Sequence, residues 1–248
     1  MPAAAPGPQT RAEPCESVER PAGKSEYDGP RHRSNVLKII LAAREPELAA
    51  AWERHCGDLP DVSIHRGSIL DLSVDAVVSP ANSFGFMDGG IDHLYSHEFG
   101  WDVQERLQEL IRTRHDGELL VGTAEIVETG HPRIPFLIAA PTMRVPMILR
   151  DTVNPYLAAR AAFRLVRHGL IPAGNFAGDR VETVVASVAF PGMGTGVGQV
   201  GPGTCARQVR VAIEEVVLDR GQFPRTWAEA QQKHQLLYTD RVRDLQSE

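Results

Sequence analysis

Asp75-Ala-Val-Val-Ser-Pro-Ala-Asn82, running on as Ser83-Phe-Gly-Phe-Met-Asp-Gly-Gly-Ile-Asp92, reads as a buried strand that breaks into a glycine-bearing loop. A second stretch repeats the design further on: Val184-Val-Ala-Ser-Val-Ala-Phe190, then Pro191-Gly-Met-Gly-Thr-Gly-Val-Gly198. In an open α/β sheet, ligands sit beyond the carboxyl ends of the strands, and that is where both loops fall. Two such loops can face one cleft.

Outward from these segments, short apolar runs alternate with helical patterns from Asn35 onward, the mark of an α/β domain around a parallel or mixed sheet. Strands are predicted near Val36–Ala42, Val62–Arg66, Asp75–Ser79, Ala124–Glu128, Phe136–Ala140 and Thr183–Phe190. Residues 101–115 place Val103, Leu107, Leu110 and Ile111 on one helical face, and Asn154-Pro155 opens another helix with proline in its first turn. A third helix is expected from Gly203 to Asp219, ended by Gly221. The segment Thr226-Trp-Ala-Glu229 matches a capping box and predicts a terminal helix. The expected organisation is a disordered tail over 1–34, an α/β domain over 35–221 and a helical extension over 222–248.

The chain has 248 residues, 42% hydrophobic and 23% charged, enough apolar material for a core. No apolar run approaches the ~20 residues of a bilayer-spanning helix, so no membrane association is expected. Its 26 basic and 32 acidic residues give a net charge of −6. A basic field for general nucleic-acid binding is therefore missing, and any anionic ligand must be held by local geometry. Residues 1–34 balance five basic against five acidic side chains, so the remainder carries the whole −6. Cys15, Cys56 and Cys205 form neither a disulfide framework nor a zinc motif, which fits a reducing cytoplasm. An apolar secretory core is lacking at the N-terminus.

Gly192, Gly194, Gly196 and Gly198 free the backbone to aim its amides at an anion, an arrangement suited to phosphate oxygens. The alternative is a tight connection with no ligand. Gly196-Val-Gly198-Gln-Val-Gly201 formally satisfies a dinucleotide fingerprint, but too little sheet follows it. Gly23-Lys24-Ser25 lacks the earlier glycine and the strand of a P-loop. Asn82 offers an amide at a strand's end and Asp92 a carboxylate beyond Gly89-Gly90; a turn former and a helix cap are the plain alternatives. His93 and His97, with Glu98 adjacent, have the spacing of metal ligands on one helical face but no third ligand, so no metal or other cofactor is expected.

Taken together and in order, these pieces resemble the macrodomain family over about Val62 to Asp219. Val77-Val-Ser-Pro-Ala-Asn82 is similar to the family's strand ending in Asn, and Gly89-Gly-Ile-Asp92 to its glycine-rich catalytic loop. Phe190 to Gly198 matches its phosphate loop, and Gly122 to Gly130 followed by Phe136–Ala140 its connecting hairpin. The resemblance implies a three-layer α/β/α sandwich around a mixed sheet. It implies an ADP-ribose site formed by Ser68, Ile69, Asn82, Gly89, Gly90, Ile91, Gly192, Gly194, Thr195, Gly196, Val197 and Gly198, with Asn82 on the distal ribose and Asp92 beside the scissile anomeric carbon. The implied activity is hydrolysis of ADP-ribosyl linkages on a modified protein or small ester, with a non-catalytic reader as the competing class and a phosphatase as a third. Three positions depart from the pattern. Gly67-Ser68-Ile69 stands where Gly-Asp-Ile is usual, so a hydroxyl replaces the carboxylate that takes the adenine amine. Phe84, Phe86, Met87 and Asp88 occupy a loop of small residues. A helix after Thr226 replaces the final strand, the usual source of an adenine-stacking aromatic.

Overall fold

Alternation of side chains along the central strands sets the architecture, because each strand is apolar on both sides. The computed structural model describes residues 36–80 and 82–244. In β1 (Lys38–Ala43), Ile39, Leu41 and Ala43 join one core cluster and Ala42 the other. The same split divides Ala76 and Val78 from Val77 in β3 (Ala76–Ser79), and Phe136 and Ile138 from Leu137 and Ala139 in β5 (Ile134–Ala139). The remaining strands are β2 (Val62–Arg66), β4 (Glu125–His131) and β6 (Ser187–Phe190). The six lie in the order β2-β1-β6-β3-β5-β4, all parallel except β4, which runs antiparallel to β5.

Helices cover both faces. On one lie α1 (Pro46–Cys56), α4 (Asn154–His168) and α6 (Pro202–Ala212), burying Leu48, Trp52, Phe163 and Val209. On the other lie α2 (Gly90–Phe99) and α3 (Asp102–Arg114), burying Tyr95, Phe99, Val103, Leu107 and Ile111 at helical spacing. The expected three-layer α/β/α sandwich around a mixed sheet is what the chain forms.

Two expectations need correction. Thr183–Phe190 is not one strand: Val181–Val184 makes a single helical turn, α5, and the strand begins only at Ser187. The cause is tertiary, since the Asp75 carboxylate accepts from the amides of Ala186 (3.0 Å) and Ser187 (2.8 Å) and so fixes where the strand starts. Gly221 does not end the helix after Gly203. After α6 the chain widens into a π turn over Ile213–Val217 and leaves through Asp219, whose φ is +52°. Arg167 donates to the Val216 carbonyl and pairs with Asp219 at 2.8 Å, so the exit is held by a side chain. Half of the capping box forms at the head of α7 (Trp227–Gln235): Glu229 donates its amide to Thr226 Oγ at 3.2 Å, while its carboxylate accepts from the Arg225 amide at 2.9 Å instead of that of Thr226. The expected tail over 1–34 lies outside the described residues. Among the described residues no helix is long and apolar enough to cross a membrane.

The topology places the site. Because β1, β2, β3 and β6 are parallel, the segments leaving their carboxyl ends all emerge at one edge of the sheet.

Candidate functional site

At that edge lies a cleft of about 380 Å³. Every position assigned to the ligand site from the sequence lines it. Ser68 and Ile69 come from the end of β2, Asn82, Gly89, Gly90, Ile91 and Asp92 from the β3–α2 connection, and Gly192, Gly194, Thr195, Gly196, Val197 and Gly198 from the β6–α6 loop.

Asp92 is the third residue of α2, and only 5% of its surface is exposed. The Ser79 hydroxyl, at the end of β3, donates to its Oδ1 at 2.6 Å. Burial pushes the carboxyl up to about 7 against the opposing pull of that hydrogen bond. A carboxylate of this kind is poised to exchange a proton near neutral pH. The helix-cap alternative is corrected here: Gly89 occupies the cap position and the Asp92 carboxylate is bonded to Ser79 instead. Ser79 was not singled out from sequence. Its pairing depends on α2 folding back over β3, which spacing along the chain does not announce.

Asn82 matches its turn-former alternative. Its Oδ1 accepts from the amides of Phe84 (3.1 Å) and Phe86 (3.3 Å), and its Nδ2 donates to the Phe86 carbonyl at 2.8 Å. The side chain thus shapes the wall of the cleft while also lining it. The four bulky residues of this loop divide their tasks. Met87 is fully buried and donates its amide to Gln104 Oε1 at 2.7 Å, and Phe84 lies under the Arg144 guanidinium at 5.1 Å. Phe86 and Asp88 line the cleft. Gly90 follows with φ of +58°, a left-handed conformation that a side chain would strain, and a Cβ at Gly89 or Gly90 would meet nothing within 4 Å. Bare backbone therefore borders the cleft beside Asp92.

In the β6–α6 loop the carbonyls turn back into the fold: Gly194 accepts from Val200 (3.1 Å), Gly196 from Gln199 (3.0 Å) and Gly198 from Leu149 (2.7 Å). The amides of Thr195, Gly196 and Val197 have no acceptor among the described residues. A row of unsatisfied amides in a glycine loop is an anion-binding arrangement. A Cβ placed on Gly192 would press on Thr195 Oγ1 and on Leu48 Cδ2, so a side chain there requires both to shift.

The structure keeps two of the candidate metal ligands together and turns the third away. The rings of His93 and His97 meet edge to face, 4.4 Å between centroids, each 6.3 Å from Trp101. Glu98 turns elsewhere, to His131 (3.3 Å) and Arg133 (3.6 Å). Among the described residues, no three His, Cys, Asp or Glu side chains come together in a way that could hold a metal. Cys56 and Cys205 are buried, and burial pushes both thiols up to about 12, far from a nucleophilic thiolate.

Sequence reading also passed over Arg44 and Glu45, which line the cleft at the end of β1, and Leu94 and Pro146 on its apolar side. The strand-end rule would have pointed to Arg44 and Glu45 once β1 was known to lie inside the sheet.

A family model described as Macro domain matches residues 78–209, just over half of the chain. An uncharacterized protein of Aeropyrum pernix is 31% identical over 172 residues, covering 68% of this chain and 79% of the relative. Another, of Aquifex aeolicus, is 30% identical over 156 residues, 63% of this chain and 81% of the relative. Among solved structures, an Oceanobacillus iheyensis macrodomain with ADP aligns with a TM-score of 0.50 at 22% identity, over 62% of this chain and 74% of that one.

Proposed function

This chain belongs to the macro domain family, and from that premise we propose that its cleft binds ADP-ribose and hydrolyses an ADP-ribosyl linkage, with Asp92 activating the water. The observation that carries this reading is Asp92 itself: a buried carboxyl, held by Ser79 at 2.6 Å and pushed up to about 7, bordering the same cleft as a row of unsatisfied glycine-loop amides.

The geometry supports the following division of roles. The amides of Thr195, Gly196 and Val197 take the diphosphate oxygens, which is how a chain of net charge −6 holds a dianion. Gly89 and Gly90 let backbone approach the distal ribose, and Ile91 and Val197 supply apolar wall. Asn82 acts mainly by holding the Phe84–Phe86 turn, with one amide hydrogen left for the sugar. Ionised Asp92 accepts a proton from water as its oxygen bonds to the anomeric carbon, and the bond to the acceptor breaks with the electron pair leaving on the acceptor. The modified partner is an ADP-ribosylated protein or small ester. Buried reduced thiols at Cys56 and Cys205 support a cytoplasmic setting.

The test is release of ADP-ribose from a mono-ADP-ribosylated protein. Asp92→Ala is expected to slow release by roughly 10²–10⁴-fold while retaining ADP-ribose binding. Asp88→Ala, on the same loop but exposed, is expected to matter less. Binding by the wild-type chain with no release would make it a reader; equal loss in both variants would remove Asp92 from its role. Chelator is expected to leave turnover unchanged, and recovery by one specific metal after loss would contradict the amide-based account.

A further inference from the structure

The cleft has a second end, built by residues that precede the span matched by the family model. It is formed where β1 and β2 finish: Arg44 and Glu45 follow β1, and Gly67, Ser68 and Ile69 follow β2. The two strand ends are tied by the Gly67 amide, which donates to the Ala43 carbonyl at 2.9 Å. On its other side β1 neighbours β6, so Arg44 stands between the Ser68 turn and the glycine loop. Leu48 seals that junction, since a Cβ on Gly192 would come within 2.8 Å of its Cδ2.

Three observations make this end a recognition site. Among the described residues, Arg44 is the only basic side chain lining the cleft. Neither the Arg44 nor the Glu45 side chain has a hydrogen-bond or ion-pair partner among the described residues; Glu45 engages α1 only through its backbone carbonyl, which accepts from the Ala49 amide at 3.1 Å. Glu45 holds the cap position of α1 without spending its carboxylate on the helix. Ser68, by contrast, is occupied: its Oγ accepts from the Leu70 amide at 3.3 Å, leaving no carboxylate at that position. The other cleft carboxylates, Asp88 and Asp92, belong to the β3–α2 connection at the opposite end.

We propose that Arg44 and Glu45 form the nucleotide-reading end of the cleft, Glu45 accepting from the exocyclic amine of an adenine base and Arg44 pairing with the adjoining phosphate. The proposal rests on the ADP-ribose reading above and adds what selects the base. A carboxylate one strand over takes the part a carboxylate at position 68 would have played, and the cation offsets its charge beside the diphosphate.

The test compares AMP with purine riboside 5′-monophosphate, which lacks the exocyclic amine, by calorimetric titration of the full chain. The wild type is expected to prefer AMP by roughly tenfold or more, as for a hydrogen bond to a charged acceptor. Glu45→Ala is expected to erase that preference while leaving the melting temperature unchanged, because the side chain makes no cap hydrogen bond. Arg44→Ala should weaken both nucleotides alike, keep the preference and flatten the loss of affinity with added salt; Arg44→Lys should restore part of the affinity. A preference that survives Glu45→Ala, or a wild type that binds both nucleotides equally, overturns the assignment of Glu45. Unchanged affinity in Arg44→Ala overturns that of Arg44. A wild type that binds ADP-ribose but neither nucleotide ends this proposal and leaves the ADP-ribose reading standing, whereas one that binds none of the three ends both.

Discussion

Asp92 is retained at a cost to the fold. Its carboxyl is pushed up to about 7 by burial, so the folded state holds the proton more tightly than the unfolded chain does. The stability this contributes is fully present below the ordinary carboxylate range and is lost as pH rises through about 7. At pH 8 the ionised group then costs on the order of 4 kcal/mol relative to a neutral one. Asp92→Asn should therefore gain stability over the wild type as pH is raised from 5 to 8, read as a widening difference in melting temperature. A constant difference across that range would contradict the burial argument. If Asp92 is the base, the hydrolysis rate should rise with pH about a midpoint near 7, and Ser79→Ala, by removing the hydrogen bond that favours the carboxylate, should move the midpoint upward. Asp92 was legible as a residue because Gly89-Gly90 flagged its loop. Ser79 was not, although it stands in the same stretch, because its role arises from a contact across 13 residues that only the packed helix creates.

At the scale of elements, the β6–α6 loop makes a sharp distinction between two of its glycines. A Cβ on Gly196 meets nothing within 4 Å, whereas one on Gly198 would fall 2.5 Å from the Gly194 carbonyl oxygen. Gly196→Phe should therefore fold with an unchanged melting temperature and lose ADP-ribose affinity by obstructing the cleft. Gly198→Ala should instead lower the melting temperature, because backbone must move to admit the methyl group. The reverse pattern would place the ligand elsewhere. Elements were readable where a local pattern decides them: Val62–Arg66 forms β2 as read, and the Thr226 hydroxyl caps the start of α7. Thr183–Ala186 deceived because a run of apolar and β-branched residues reads as strand, while the carboxylate of Asp75, more than 100 residues away in sequence, sets the true start at Ser187.

For the whole molecule, layer architecture followed from alternation of apolar runs and helical patterns, but strand order did not. Nothing in Lys38–Ala43 by itself states that it lies between β2 and β6, and that placement brings Arg44 and Glu45 to the cleft. Among the described residues, 222–244 supply no cleft-lining residue; the segment attaches through Arg207, which donates to the Leu236 carbonyl at 3.2 Å and pairs with Asp240 at 2.8 Å, and through buried Leu237. A chain ending at residue 221 is expected to melt a few degrees lower and to bind ADP-ribose as before; lost affinity with the fold intact would tie the extension to the site. All of these expectations require that one cleft, walled by the β3–α2 connection and the β6–α6 loop, hold ADP-ribose. Calorimetric titration of ADP-ribose into the wild type, Asp92→Asn and Gly196→Phe tests it most directly. One ligand per chain, displaced by AMP, retained in Asp92→Asn and weakened severely in Gly196→Phe is the predicted result; no binding by the wild type, or undiminished binding by a folded Gly196→Phe, would contradict it.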